Sequence, residues 1–277
     1  FIRHSAGLGK SPTKPDQDLY DHQYVHCDVL VIGGGISGIL SAKLSAEKGL
    51  NTMLINDKSY LGGSTIYQND DFFKINNETS NVWLKKQIEE LKKIPNLIIK
   101  NRTSVAAFHG YNYLLARENL TDHLSAHERK EKIRQRLLKI RAKKVVIATG
   151  AIERPLIFSN NDRPGIILSS SIKKYIDYYG VKTGESVSLF TNNDSAYETA
   201  ISLNKSGVKV KVIIDIRENS NSILSQKIEK TGIKILRGYT ITNTDGYKRI
   251  NSIEVMKLSK DGGSVVGNKI TYKCDCL

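Results

Sequence analysis

Residues 31–38 contain a G-x-G-x-x-G loop directly behind a short apolar run, and this loop constrains the chain more than any other feature. Its glycines are Gly33, Gly35 and Gly38. In such a loop the first glycine permits a tight turn, the second lets the main chain approach a pyrophosphate, and the third lets a helix pack closely on a strand. The N–H groups at the helix start, where Ile36 and Ser37 lie, favour a phosphate. The loop therefore predicts a dinucleotide-binding site.

Alternating strand and helix patterns predict an α/β fold with two Rossmann-like modules built on parallel sheets. In the first module a strand, a helix and a second strand are predicted at residues 27–32, 36–48 and 52–55. A hairpin and two further strands, which make a β-meander, are predicted at residues 103–108, 111–117, 136–140 and 144–147. The strand–helix–strand order returns at residues 186–191, 196–206 and 208–214.

These patterns predict three regions along the chain. The chain starts at Phe1 and ends inside an apparent strand, so we expect it to be a piece of a longer polypeptide. The regions are an extended N-terminal arm at 1–26, a dinucleotide-binding module of FAD/NAD type at 27–160, and a second, inserted Rossmann-like βαβ module at 161–277 that is truncated at its last strand.

The chain carries a net charge of +14, from 42 Lys and Arg against 28 Asp and Glu. Such a charge can indicate binding to nucleic acid or to acidic membranes. The basic residues are spread over most segments, however, and clustering rather than total charge marks a binding patch. We therefore expect no nucleic-acid partner.

Three cysteines are too few for a disulfide framework. No apolar run reaches the roughly 18–20 residues that a membrane-spanning helix needs. We therefore expect no membrane partner and a reduced, cytoplasmic setting.

A residue that contacts the ribose is expected about 20 residues beyond the glycines, at the end of the second strand. Asn56, Asp57 and Lys58 lie there, with Asn56 where an acid is usual. Asn56 can bond a ribose hydroxyl, and a carboxylate at Asp57 would repel a 2′-phosphate. The pattern therefore favours NAD or FAD over NADP. A strand-end turn, in which Asn and Asp bond the local backbone, is the alternative.

Further residues are candidate contacts with the same dinucleotide. Gly63 and Ser64 belong to a Gly-Gly-Ser turn, which permits close approach of backbone to a pyrophosphate, or which is simply a flexible turn. Thr149 and Gly150 follow a strand that is expected beside the first one, at the ligand crevice. Val105 is a candidate backbone contact for adenine or, equally, an ordinary core valine.

The second βαβ module lacks the glycines of the first. Asp194 would place a negative charge at its helix start, so we expect an N-cap turn there rather than a phosphate cradle. Asp215 has the position of a ribose-binding acid, but a structural role is favoured without the glycines. No nucleophile, metal-binding cluster or redox cysteine pair emerges, so neither a catalytic residue nor a metal ligand is predicted.

Several stretches are similar to the α subunit of heterotetrameric sarcosine oxidase, within the two-dinucleotide-domain flavoprotein superfamily. The glycine loop, the Gly-Gly-Ser turn and the Ala-Thr-Gly segment are general to that superfamily. The more specific stretches run from end to end of the chain: AGLG at 6–9, YD at 20–21, HCDVL at 26–30, TDHL at 121–124, ATGAIERP at 148–155, NDRPG at 161–165 and TNNDSAY at 191–197.

The resemblance implies that the first module binds NAD within an amine-oxidising complex that also contains β, γ and δ subunits. Such a complex demethylates sarcosine to glycine, forms hydrogen peroxide and passes the one-carbon unit to tetrahydrofolate. FAD and FMN are expected in the complete complex, with the amine-oxidising residues mainly on the β subunit or its interface with α. The NAD contacts carried over by position are Ser37, Asn56, Asp57, Lys58, Ser64 and Val105.

Two other functions stay open at this point. The chain could be a self-contained FAD- or NAD(P)H-dependent reductase, although it lacks a redox cysteine pair. It could also be a non-catalytic scaffold with a vestigial nucleotide pocket. FAD is the alternative cofactor for the first module, and Asn56 departs from the acid that the family usually has.

Overall fold

The computed structural model describes residues 2–7, 9, 12–68 and 73–277. They form two compact units, one made of Phe1–Gly63 and Val82–Gly150, the other of Ser64–Asn81 and Ala151–Leu277. The strands are β1 (Leu19–Ile32), β2 (Thr52–Ile55), β3 (Lys74–Ile75), β4 (Glu78–Thr79), β5 (Leu97–Lys100), β6 (Thr103–His109), β7 (Tyr113–Asn119), β8 (Ile133–Ile147), β9 (Ser186–Thr191), β10 (Lys209–Asp215), β11 (Ile235–Arg237), β12 (Tyr239–Asp245), β13 (Ser252–Leu258) and β14 (Val265–Lys273). The helices are α1 (Ile2–Ser5), α2 (Ile36–Glu47), α3 (Ser80–Leu91), α4 (Ala126–Arg129), α5 (Ser169–Asp177), α6 (Ser195–Lys205) and α7 (Ile223–Lys230), with short 3-10 turns at Gly63–Tyr67 and Gly110–Asn112.

The first unit is built on a sheet in the order β5-β2-β1-β8-β7-β6. The strands β5, β2, β1 and β8 are parallel, whereas β7 pairs antiparallel with both β8 and β6. Helix α2 connects β1 to β2 and completes a βαβ unit. It ends just before Gly49, whose φ of +82° is the left-handed conformation that glycine adopts without strain. The predicted α/β fold with a parallel, Rossmann-like sheet is confirmed.

The first strand is longer than the sequence predicts: it starts at Leu19 and not at residue 27. Residues 133–147 likewise form one strand where two were expected. The two strands pair from Leu19 opposite Ile133 to Ile32 opposite Ile147. Residues 19–26 are rich in polar side chains, so their own pattern does not predict a strand. Pairing with β8 makes this part of the expected arm a strand, while Phe1, Leu8, Lys10 and Ser11 of that arm lie outside the described residues.

Alternation along β7 and β8 buries one face of each strand. Leu114 and Ala116 on β7, and Leu138 and Ile140 on β8, are fully buried and pack in one cluster with Leu30 of β1. The meander therefore shares its core with the strand that carries the glycine loop, and this packing fixes the carboxyl ends of β1 and β8 side by side.

The second unit repeats the strand–helix–strand order on a smaller scale. Its parallel sheet has the order β11-β10-β9, with α6 connecting β9 to β10. An antiparallel sheet of β12, β13 and β14 follows in the chain. Val187 and Leu189 of β9 and Val210 and Ile213 of β10 pack against α5 and α6. Val212 and Ile214, also on β10, pack instead with side chains of β12 and β13. Within the described ranges, no helix has both the length and the apolar character needed to cross a bilayer.

Leu138→Ala is expected to lower the free energy of unfolding of the first unit by about 2–5 kcal/mol, because it leaves a cavity at a side chain that is 0% exposed. The adjacent Leu137 is 38% exposed, so Leu137→Ala is expected to cost less than about 1 kcal/mol. Urea unfolding can be followed through Trp83, the single tryptophan, which lies in the first unit. Equal losses in the two variants would contradict the assignment of the buried face of β8.

Candidate functional site

The turn between β1 and α2 has no room for side chains at two of its glycines. Gly33 has a φ of +111°, and a Cβ on this residue would overlap the carbonyl oxygen of Ala148. A Cβ on Gly38 would overlap the carbonyl oxygen of Gly33. Both obstacles are backbone atoms, which cannot turn aside as a flexible side chain can. Gly33 and Gly38 therefore allow the start of α2 and the ends of β1 and β8 to pack in direct contact.

Gly35 differs from these two glycines because its missing side chain faces open space. No atom lies within 4 Å of its Cβ position, and its φ of −78° is accessible to any residue. Gly35 is also the N-cap of α2, which no side chain caps. The first N–H groups of a helix lack partners within the helix, and here those of Ile36 and Ser37 lie next to the open space. An anionic group such as a pyrophosphate fits this position.

A second glycine turn lies against the first one. The N–H of Gly62 donates to the carbonyl oxygen of Gly34 at 2.7 Å. A Cβ on Gly63 would lie 3.1 Å from the Cα of Gly35, and Gly63 has a φ of +55°. A second stretch of backbone is thereby brought beside the open space at Gly35. Ser64 follows as the exposed first residue of the second unit.

Asn56 lies directly after β2 and packs beneath the glycine loop. It is 5% exposed, and a Cβ on Gly34 would lie 2.7 Å from its Cγ. The Asn56 Nδ2 donates to the carbonyl oxygens of Tyr60 at 2.7 Å and Lys58 at 3.1 Å. The amide N–H groups thus stabilise the turn that follows β2. This limits the predicted ribose contact of Asn56 to its amide oxygen.

Asp57 and Lys58 form an exposed ion pair at the same turn. The Lys58 Nζ lies 2.8 Å from the Asp57 Oδ2, and the two side chains are 54% and 57% exposed. The carbonyl oxygen of Lys58 accepts the N–H of Arg102 at 2.9 Å. This bond brings the turn between β5 and β6 to the same edge of the sheet. Sequence reasoning did not name Arg102, because one arginine among many cations carries no positional signal.

Thr149 and Gly150 lie at the carboxyl end of β8, beside the glycine loop. The N–H of Ala148 donates to the carbonyl oxygen of Ile32 at 2.8 Å, which continues the pairing of β8 with β1 up to the loop. Thr149 and Gly150 are both exposed, and Gly150 has a φ of +72°. The expected position of this segment next to the first strand is therefore correct.

Val105 lies on β6, where it is half-buried against the core of the first unit. The strand starts at Thr103, whose N–H donates to the carbonyl oxygen of Asn56 at 2.9 Å. The start of β6 is thus joined to the end of β2, two residues before Val105. The side chain has the core position that was one of the two alternatives, and its backbone contact with adenine stays a prediction.

Three backbone positions besides the candidate contacts help to form this site, namely Gly34, Gly62 and Ala148. Gly62 and Ala148 belong to the Gly-Gly-Ser turn and the Ala-Thr-Gly segment that the sequence indicated, whereas Gly34 was not named. The carbonyl oxygen of Gly34 accepts the N–H of Gly62, and this bond joins the two glycine turns. The carbonyl oxygen of Ala148 lies against Gly33. The run of three glycines was a usable signal for Gly34. Ala148 had one as well, because it opens the Ala-Thr-Gly segment that was expected beside the first strand, although its contact with Gly33 is made by a main-chain atom.

A protein family described as pyridine nucleotide-disulphide oxidoreductase matches residues 27–277. The chain belongs to this family. Sarcosine oxidase subunit alpha of Corynebacterium sp. (strain U-96) is 33% identical over 272 residues, which cover 98% of this chain and 28% of that relative. The same subunit of Rhizobium meliloti (strain 1021) is 33% identical over 254 residues, covering 92% and 25%. The resemblance to the sarcosine oxidase α subunit is confirmed, and the chain spans about a quarter of the length of these relatives.

Solved structures with the same fold include other oxidoreductases. L-proline dehydrogenase from P. horikoshii has a TM-score of 0.64 and 22% identity, with 92% of this chain and 42% of that chain covered. The thioredoxin reductase of T. acidophilum has a TM-score of 0.64 and 17% identity, with 91% and 75% covered. At these identities the likeness shows the fold alone. Family and relatives together make the chain a dinucleotide-binding oxidoreductase module, with a flavin or nicotinamide dinucleotide as cofactor.

The second unit of this family member carries a charged network where the first has its glycine turn. The Arg217 Nη2 donates to Asp194 and to Asp215, each at 2.7 Å. The hydroxyl of Tyr197 donates to Asp215 at 2.6 Å, and Asp215 is 0% exposed. The structural role predicted for Asp215 is confirmed.

The turn before α6 is held by Asn193 rather than by Asp194. The Asn193 Oδ1 accepts the N–H of Ser195 at 3.0 Å, and no side-chain cap comes from Asp194. The expected N-cap turn is present, with a different acceptor. Because the carboxylate of Asp194 stands at the helix start, a phosphate is disfavoured there.

Two pKa values reflect the same network. Burial raises the pKa of the Asp215 carboxyl, but hydrogen bonds from Arg217 and Tyr197 outweigh burial and leave that pKa below its ordinary value. Burial, together with the hydrogen bond to Asp215, raises the pKa of Tyr197 to about 12. The network therefore holds a buried carboxylate in its ionised form.

The thiols offer no reactive group in the described part of the chain. All three cysteines are free, and burial raises the pKa of Cys27 and that of Cys274 to about 11. A thiol with so high a pKa stays protonated at neutral pH and is a poor nucleophile. No group of three or more His, Cys, Asp or Glu side chains in the described ranges is placed to hold a metal ion.

Asp215→Asn is expected to lower the free energy of unfolding by about 1.5–3 kcal/mol at neutral pH, because hydrogen bonds to a charged group are lost inside the second unit. The pKa of this carboxyl is lowered in the folded state. In the wild type the ionised Asp215 carboxylate therefore stabilises the fold fully above the unfolded-state pKa of about 3.9. This stabilisation is lost as the pH falls through the lower pKa of the folded state. The difference in the free energy of unfolding between the wild type and Asp215→Asn, called the gap below, should therefore disappear in acid.

Urea unfolding followed by far-UV circular dichroism measures this gap at a series of pH values. Asp162→Asn, at an exposed carboxyl, is the matched control and is expected to show no gap at any pH. A gap for Asp215→Asn that persists unchanged below about pH 3 would contradict the assigned ionisation.

Proposed function

We propose that the first unit binds NAD and that the chain is the dinucleotide-binding region of a sarcosine oxidase α subunit. The observation that carries NAD binding is the open space at Gly35, beside an uncapped helix start and between the ends of β2 and β8. In parallel α/β sheets, ligands bind at the carboxyl ends of the strands. Similarity to the Corynebacterium subunit over 98% of the chain supports the assignment.

The proposed contacts run from the phosphates of the ligand to its adenosine. The backbone around the two glycine turns and the end of β8 would bind the pyrophosphate, the turn after β2 the ribose, and β6 the adenine. In that order the residues are Gly33, Gly35, Ile36, Ser37, Gly38, Gly63, Ser64, Thr149 and Gly150, then Asn56, Asp57 and Lys58, and finally Val105.

We propose that the complete protein works with β, γ and δ subunits. The proposed reaction demethylates sarcosine to glycine, reduces oxygen to hydrogen peroxide and passes the one-carbon unit to tetrahydrofolate. In this scheme the chemistry takes place on a partner subunit, FAD and FMN belong to the complete complex, and this chain supplies a bound dinucleotide. The relatives are named as sarcosine oxidase subunits, which supports this scheme. The cytoplasmic location of the complex stays a prediction.

The identity of the nucleotide is tested by releasing it from the purified protein. We expect a colourless first unit, and mass spectrometry of the released material, or of protein mixed with NAD, should show one NAD per chain. A yellow protein that carries one FAD per chain would overturn the choice of NAD. A protein that binds neither nucleotide would favour a scaffold role.

Gly35→Val is expected to weaken NAD binding by at least about 100-fold, since its side chain fills the phosphate space and removes two hydrogen bonds to a charged group. The variant should fold, because the Cβ meets no atom within 4 Å and the φ of −78° suits any residue. Isothermal titration calorimetry measures the dissociation constant.

Gly110→Val is the matched control. Gly110 lies in the turn between β6 and β7, and its Cβ position is equally open. This variant should bind NAD as the wild type does. Unchanged affinity in Gly35→Val, with the melting temperature also unchanged, would rule out the proposed phosphate position.

A further inference from the structure

The turn after β2 lacks a feature by which a Rossmann-like site rejects a phosphorylated ribose. In NAD-specific sites an acid at the end of the second strand binds the 2′-hydroxyl and repels a 2′-phosphate, whereas a nearby cation accommodates that phosphate. Asn56 occupies the position of this acid and carries no charge. Its Nδ2 is already committed to the carbonyl oxygens of Tyr60 and Lys58. The residue therefore stabilises the turn without excluding an anion.

The carboxylate of Asp57 was expected to repel a 2′-phosphate, but the structure places a cation directly on it. The Lys58 Nζ lies 2.8 Å from the Asp57 Oδ2. With more than half of each side chain exposed, this pair contributes little energy, so separating the Lys58 ammonium from the Asp57 carboxylate has a small cost. A phosphate offers the ammonium a more highly charged acceptor than a carboxylate does.

Arg102 brings a second cation to the same edge of the sheet. Its N–H donates to the carbonyl oxygen of Lys58 at 2.9 Å, so its backbone is fixed to the turn. The side chains of Asn56, Asp57, Lys58 and Arg102 together carry more positive than negative charge at neutral pH. A 2′-phosphate, with a charge of about −1.5 to −2, meets no net repulsion from this group.

We propose that the first unit binds 2′-phosphorylated nicotinamide dinucleotides about as well as NAD, because Asn56 replaces the discriminating acid and Lys58 with Arg102 supplies the cations. Asn56 and Lys58 are on this basis the specificity-determining residues of the ribose site. The inference rests on the proposed nucleotide-binding function of the first unit.

The test compares the dissociation constants of NAD⁺ and NADP⁺ for the purified full chain by isothermal titration calorimetry. The ratio of the NADP⁺ constant to the NAD⁺ constant is expected to lie below about 10, which is one decade of affinity. Lys58→Glu, which leaves the buried amide of Asn56 in place, is expected to raise this ratio at least about tenfold. Asn56→Asp should raise it as well, although this variant loses donors that hold the turn.

Lys48→Glu is the control for charge alone. Lys48 is exposed and ends α2, at the opposite end of the helix from the glycine loop. The ratio of the NADP⁺ to the NAD⁺ dissociation constant in Lys48→Glu should equal that of the wild type. A wild-type ratio above about 10, or a ratio that Lys58→Glu leaves unchanged, would overturn the inference while the nucleotide site itself stands. Absence of binding by both nucleotides would instead contradict the proposed function and this inference together.

Discussion

The direct backbone contact of α2 with β1 and β8 is the constraint on which the rest of the first unit depends. A Cβ on Gly38 would overlap the carbonyl oxygen of Gly33, and a Cβ on Gly33 would overlap that of Ala148. Because the helix start can approach this closely, its N–H groups lie at the carboxyl ends of the parallel strands. Gly35 then leaves space in front of them, which is where we propose that a pyrophosphate binds.

The two units carry different groups at the turn that follows the first strand of each βαβ fold. In the first unit the helix start has no side-chain cap and faces open space at Gly35. In the second, Asp194 stands at the helix start and Arg217 joins it to the buried Asp215. The same topology thus has an open helix start in one unit and an internal charge network in the other, and the difference lies in a few residues at the turn.

The turn after β2 combines two roles that a carboxylate cannot fill together. Asn56 is buried under the glycine loop and donates to two carbonyl oxygens, which an ionised Asp in that place could not do. The neutral amide therefore stabilises the turn while it removes the negative charge that an acid would bring to this position. The charges that remain nearby, at Asp57 and Lys58, lie at the surface, where they can respond to a ligand.

Local signals in the sequence were enough for the glycine loop, the strand at 52–55, the hairpin of β6 and β7 and the second βαβ module, because glycine spacing and apolar periodicity act over a few residues. They were not enough for residues 19–26, whose strand depends on β8 more than a hundred residues away. They also did not show that the Asn56 amide donates to carbonyl oxygens of the turn after β2, or that Arg102 is hydrogen-bonded to that turn. The sequence by itself determined the glycine loop and its place between a strand and a helix, because these depend on residues close together in the chain. Only the tertiary structure decided which charges surround the loop, since those are set by contacts between distant segments.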